Sequence, residues 1–160
     1  MDEVVRIGIA EYAVSQKPVI LRTAGLGSCV GVIIYDQERG LSSMAHVMLP
    51  DSAISRNVAL EIGKFADTAV VELARRLRHS GAIRLRAKIA GGAQMFQFKY
   101  EHESMRIGER NIAAVKLALR KANVPLVAED VGGTNGRTIE FHSTTGRLVI
   151  RTVNVGTLEI

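Results

Sequence analysis

Residues 23–50 read TAGLGSCVGVIIYDQERGLSSMAHVMLP, and the way the two apolar runs in this stretch pair decides the fold. CVGVIIY at 29–35 is a β-branched run, LSSMAHVML at 41–49 is a second apolar-rich run, and DQERG at 36–40 has turn composition, so the stretch predicts a β-hairpin. With Tyr35 paired to Gly40, counting back sets Cys29 directly opposite His46, on one face of the hairpin. A register one residue longer would put Cys29 opposite Val47 and turn His46 to the other face. Any chemistry shared by these two residues therefore depends on register.

Working outward, 4–10 and 19–23 read as strands on the N-terminal side, the second leading into AGLGS. The two glycines ahead of Cys29 either close a tight turn or let backbone amides approach a ligand. On the C-terminal side, Leu60, Phe65, Ala69, Leu73 and Leu77, with Ile62, Ala66 and Val70 beside them, mark a helix with a broad core-facing stripe. Its acids come early and its bases late, and Gly81 follows as a stop. Residues 85–90 alternate as a strand with one wet face, carrying Arg84, Arg86 and Lys88. Met95, Phe96 and Phe98 then lead into the charged segment 99–106, read as an exposed loop or ragged hairpin. A second helix is expected from about Gly108 to Ala122, then a strand at 124–129, a GGTNG turn, and a closing hairpin of 137–142 with 148–153.

No repeat or linker interrupts this order, so residues 1–160 are expected to form one domain. Hairpins with two inserted helices are not strict strand-helix alternation. The fold class is α+β, with mixed or antiparallel sheets layered against two main helices.

A single cysteine excludes an internal disulfide, and MDEVVRIGIAEY has neither a basic n-region nor a long apolar h-region, so a cytoplasmic protein is expected. The apolar runs are too short for a membrane helix, so membrane insertion is not expected. A net charge of +5 favours acidic partners, yet the bases are scattered among acids, and three tyrosines, four phenylalanines and no tryptophan give no stacking platform. Nucleic-acid binding is not expected. The histidines at 46, 79, 102 and 142 lack metal-ligand spacing, and GLGS lacks the lysine of a phosphate loop, so neither a metal nor a cofactor is expected.

A lone cysteine is most often a small buried hydrophobe. Cys29 follows a glycine loop, however, and the hairpin brings an imidazole beside it, which lowers a thiol's pKa and supplies a proton acceptor for acyl transfer. The runs GLGSCVGVIIYD, MAHVMLPDS, KFADTAV, KIAGGAQMF, IGERN and EDVGGTNGR resemble, in order and over nearly the whole chain, the chemoreceptor glutamine deamidase family, CheD. The resemblance implies Cys29 as nucleophile, His46 as general base and acid, and Thr23 as the residue orienting the imidazole. It implies as substrate the glutamine side chains on the cytoplasmic helices of methyl-accepting chemoreceptors, converted to glutamate with release of ammonia. It also implies a likeness to the catalytic domain of cytotoxic necrotising factor toxins and a CheC-type phosphatase as partner. Backbone amides of the loop at Gly27, Ser28 and Cys29 are the expected oxyanion donors. Two other readings stay open: a regulatory protein that binds the CheC phosphatase, and a receptor methylesterase using the same thioester route.

Overall fold

The computed structural model describes residues 2–53, 55–95 and 106–160. Among these residues the chain order is β1 (Glu3–Arg6), β2 (Tyr12–Ser15), β3 (Val19–Leu26), β4 (Val30–Asp36), β5 (Leu41–Val47), α1 (Ala66–His79), β6 (Arg86–Gly91), α2 (Ile107–Lys121), β7 (Leu126–Val131), β8 (Arg137–His142), β9 (Arg147–Thr152) and β10 (Gly156–Glu159). Two five-stranded sheets result, one ordered β1-β3-β8-β9-β10 and the other β2-β5-β4-β6-β7. Each is mixed: β1 with β3 and β6 with β7 run parallel, and the other neighbours are antiparallel. The class is α+β, with strands predominating, as the sequence predicts.

Alternation along β4 builds the layers. Val30, Val32 and Ile34 point to a core shared with Ala69, Val70, Leu73 and Leu77 of α1 and Val115 and Leu119 of α2. Ile33 and Tyr35 point the other way, into a second core with Leu21, Leu26, Ile139, Phe141, Leu148 and Ile150 of the facing sheet. The helices thus cover one face of the β4 sheet and the second sheet covers the other. Both faces of β4 and β5 are therefore dry, and every residue of the two strands is buried. Gly31 sits on the inter-sheet face, where a Cβ would lie 2.5 Å from Cδ1 of Ile139. Glycine here allows the sheets their close approach.

The hairpin register differs from the expected one by two positions. Asp36 pairs with Leu41 and Gly31 with His46, so residues 37–40 form the loop. Asp36 belongs to the strand rather than the turn because its buried carboxylate is held by backbone donors: Arg39 N at 3.3 Å on one oxygen, Ile83 N at 2.8 Å and Arg84 N at 3.0 Å on the other. A two-residue shift changes the partner but not the face, so Cys29 is not directly opposite His46 yet keeps the same side of β4.

Other expectations are corrected. The α1 helix begins at Ala66, Val58–Leu60 and Ile62–Lys64 being 3-10 turns, and Leu60 is 86% exposed rather than part of the apolar stripe. The strand carrying Lys88 has no wet face at that residue. Lys88 is buried between the sheets, and its amine donates to the carbonyls of Gly146 at 2.6 Å and Ile160 at 2.9 Å. Strand β3 runs past Thr23, through a bulge, to Leu26, so AGL is strand rather than turn. The edge strands β2 and β10 were not expected. Phe96, Phe98 and most of the charged segment lie outside the described residues.

Candidate active site

His46 is fully buried on the face of β5 that looks toward the second sheet, and its Nδ1 lies 2.7 Å from the Thr23 hydroxyl of β3. This hydrogen bond thus links the two sheets. The same hydroxyl is 2.7 Å from the Ile7 carbonyl, which can only accept. The single hydroxyl hydrogen goes to that carbonyl, so Thr23 accepts at the ring and Nδ1 carries the ring proton. In the neutral ring this leaves the lone pair on Nε2, which is buried and has no hydrogen-bond partner among the described residues. Burial pushes the His46 pKa down to about 4, so the ring is neutral at pH 7.

The bulge in β3 shapes the next step of the chain. Thr23 pairs with Ile139 and Leu26 with Arg137, and the extra residue leaves Ala24 and Gly25 exposed while both Thr23 and Leu26 face inward. Gly25 takes φ +72°, as such a bulge requires. The chain then crosses from one sheet to the other through Gly27, Ser28 and Cys29.

Cys29 is half-buried and packs against the inter-sheet core, the layer that also holds His46. No hydrogen bond joins its sulfur to Nε2. Burial pushes the thiol pKa up, against the opposing pull of its own backbone N–H. This corrects the expectation that the imidazole lowers it: the buried ring is neutral and brings no charge to stabilise a thiolate.

The loop is held from three sides. The Gly27 amide is taken up by the Gly25 carbonyl at 3.1 Å, so it is not a free oxyanion donor, whereas Ser28 and Cys29 have amides with no backbone carbonyl acceptor among the described residues. Gly92 N donates to the Cys29 carbonyl and Ala93 N to the Gly27 carbonyl, each at 2.8 Å. Gly91, with φ +116°, permits this approach; a Cβ there would lie 2.3 Å from the Cys29 oxygen. The third hold is Asn111 of α2, which sequence reasoning missed. Its amide nitrogen donates to the carbonyls of Ser28 at 3.0 Å and Met48 at 2.9 Å. The signal was an asparagine in phase with the apolar stripe of Val115, Ala118 and Leu119.

The structure thus brings Thr23 and His46 into contact and sets Cys29 on the same layer. The geometry offers a neutral base with a fixed tautomer, a half-buried thiol and two backbone N–H groups beside it.

The family described as CheD chemotactic sensory transduction matches residues 48–152, a span that starts just after His46. Full-length similarities extend across the site itself. A chemoreceptor glutamine deamidase CheD of Halalkalibacterium halodurans is 52% identical over 162 aligned residues, covering 100% of both chains. Proteins of the same name from Bacillus licheniformis and Bacillus subtilis are each 45% identical, covering 98% and 96% of this chain and 95% and 93% of their own. Similarity of this extent, end to end and on both sides of the site, means that the chain belongs to the CheD family.

Proposed function

We propose that this protein is a protein-glutamine deamidase acting on chemoreceptors, with Cys29 as nucleophile, His46 as base and acid, and Thr23 as the positioning residue. The observation that carries the reading is the Thr23–His46 hydrogen bond, which leaves Nε2 as a free base in the layer that Cys29 shares. Full-length relatives named chemoreceptor glutamine deamidase supply the substrate.

Because both groups rest neutral, proton transfer accompanies attack instead of preceding it. His46 Nε2 removes the thiol proton as sulfur bonds to the carboxamide carbon, and the carbonyl electrons move to an oxyanion facing the amides of Ser28 and Cys29. As the tetrahedral intermediate collapses, the imidazolium returns its proton to the nitrogen, the C–N bond breaks and ammonia leaves. Water, deprotonated by the same Nε2, attacks the thioester; the C–S bond breaks, sulfur regains the proton, and glutamate is released. Thr23 keeps the ring in one tautomer throughout. It is neutral, so the imidazolium is short-lived.

Residues 1–160 act as one catalytic unit, in the cytoplasm where receptor signalling helices lie. A CheC-type phosphatase would meet the same face if it competes with the receptor. The test is incubation with receptor cytoplasmic fragments, reading amide-to-acid conversion by mass spectrometry and ammonia release in parallel. Conversion by the intact protein and none by Cys29→Ala is expected. Equal conversion by that variant would remove Cys29 from the mechanism.

A further inference from the structure

We infer that Asn111 is a positioning residue that sets the spacing between the Cys29 loop and the His46 strand, by bridging the Ser28 and Met48 carbonyls with one buried amide. The inference rests on the reading of Cys29 and His46 as the reacting pair. Ser28 immediately precedes Cys29, and Met48 follows His46 by two residues. Both bonds come from the same nitrogen, so a single amide joins the two segments.

The orientation of the amide is fixed by its partners. Both are carbonyls, which only accept, so the nitrogen must face them and Oδ1 must face away. That oxygen is buried with no partner among the described residues, in a residue that is fully buried itself. A stripe residue chosen for packing alone would be apolar, like Val115 one turn on, and would leave no orphaned acceptor. The chain carries that cost to tie two carbonyls together.

The backbone is arranged to let the amide reach. A Cβ on Gly108 would lie 2.6 Å from the carbonyl oxygens of both Gly92 and Ala93, so glycine lets the first turn of α2 sit against the β6 end. Those same two residues donate to the Cys29 and Gly27 carbonyls. Helix, glycine pair and cysteine loop are therefore one connected assembly, and the IGERN motif supplies both the close approach and the bridge.

The proposal is tested by Asn111→Ala and Asn111→Ser beside a control, Val115→Ala, which removes buried volume from the same helix face while keeping both carbonyls tied. All are compared well below their melting temperatures, with folding checked by circular dichroism. Released from the bridge, the loop should expose the thiol. For Asn111→Ala, alkylation of Cys29 by iodoacetamide should speed up and its pH profile move toward that of an ordinary cysteine. Deamidation kcat on receptor fragments should at the same time fall by about tenfold or more, the scale of a small misplacement of reacting groups, with KM little changed. Asn111→Ser, whose hydroxyl hydrogen can serve only one carbonyl, should fall between, and it carries the test if the alanine variant does not fold. A faster thiol with slower turnover is a pattern that lost stability alone does not produce. Alkylation and kcat matching those of Val115→Ala would overturn the inference. If instead Cys29→Ala retains deamidation, the reading of the reacting pair fails, whatever Asn111 does.

Discussion

Thr23 has one hydroxyl hydrogen, and the Ile7 carbonyl takes it, so the hydroxyl is left to accept from His46. Thr23→Val keeps the shape and removes that acceptor. Losing a buried hydrogen bond of about 1–3 kcal/mol in the transition state corresponds to a kcat roughly fivefold to 150-fold lower. Alkylation of Cys29 should not change, since the Thr23 hydroxyl bonds the Ile7 carbonyl and the His46 ring and not the thiol; an inert thiol in the variant would give Thr23 a different task. His46 makes a second prediction through its pKa. The folded value of about 4 lies below the ordinary 6.5, so between these pH values the unfolded chain binds a proton that the folded protein refuses. Stability contributed by the buried neutral ring is present above pH 6.5 and is lost as pH falls toward 4, by up to about 3 kcal/mol. Urea denaturation across pH 4–8 should show a steeper acid-side loss for wild type than for His46→Gln, and parallel curves would contradict the shifted pKa. All three proposed active-site residues could be read from the chain because motif order carries them. The direction of the thiol pKa could not, because it depends on a desolvation that only the packed sheets impose.

Gly91 and Gly40 both sit at positive φ at strand ends, yet their surroundings differ. A Cβ at Gly40 meets nothing within 4 Å, whereas one at Gly91 meets the Cys29 carbonyl at 2.3 Å. Gly40→Ala should therefore cost only backbone strain, about 1 kcal/mol, and leave turnover intact. Gly91→Ala adds a backbone clash to that strain, so it should cost about 2 kcal/mol or more and depress turnover beyond what the melting shift explains. Equal melting temperatures and equal kcat for the two variants would show that the β6 end does not hold the cysteine loop. The same contrast explains what could be read at the level of strands and helices. Hairpin β4–β5 was evident from two apolar runs and a polar turn, but its register hung on whether Asp36 ends the strand or starts the loop. Three backbone N–H groups decide that, two of them from Ile83 and Arg84, far along the chain. The α1 stripe was legible from Ala66 onward, while Leu60 has the stripe's spacing but lies in a separate 3-10 turn ahead of α1.

Which strands join which sheet was the least legible part, because the pairings β1–β3 and β3–β8 are set by the burial of whole faces and not by neighbouring turns. Lys88 shows the consequence: its alternation with Ala87 and Ile89 reads as a wet face, and the second sheet makes it a dry one. The charge is independent of that topology. The chain has a net +5, and a substrate built of acidic helical surface would be drawn to it over a distance set by ionic strength, about 10 Å at 0.1 M salt. The proposed reacting groups lie at the inter-sheet layer, where His46 is buried and neutral, so salt should reach the encounter but not the chemistry. Raising salt from low to roughly 0.5 M should therefore lower kcat/KM for receptor fragments by reducing association, while kcat at saturation holds steady. A short neutral glutamine peptide, which carries no such surface, should show little salt dependence in either constant. Paired measurements on the two substrates separate steering from any general effect of salt on the protein. A fall in kcat itself, or an equal loss for the neutral peptide, would mean that salt acts on the site or on the fold, and electrostatic capture of the receptor would have to be given up.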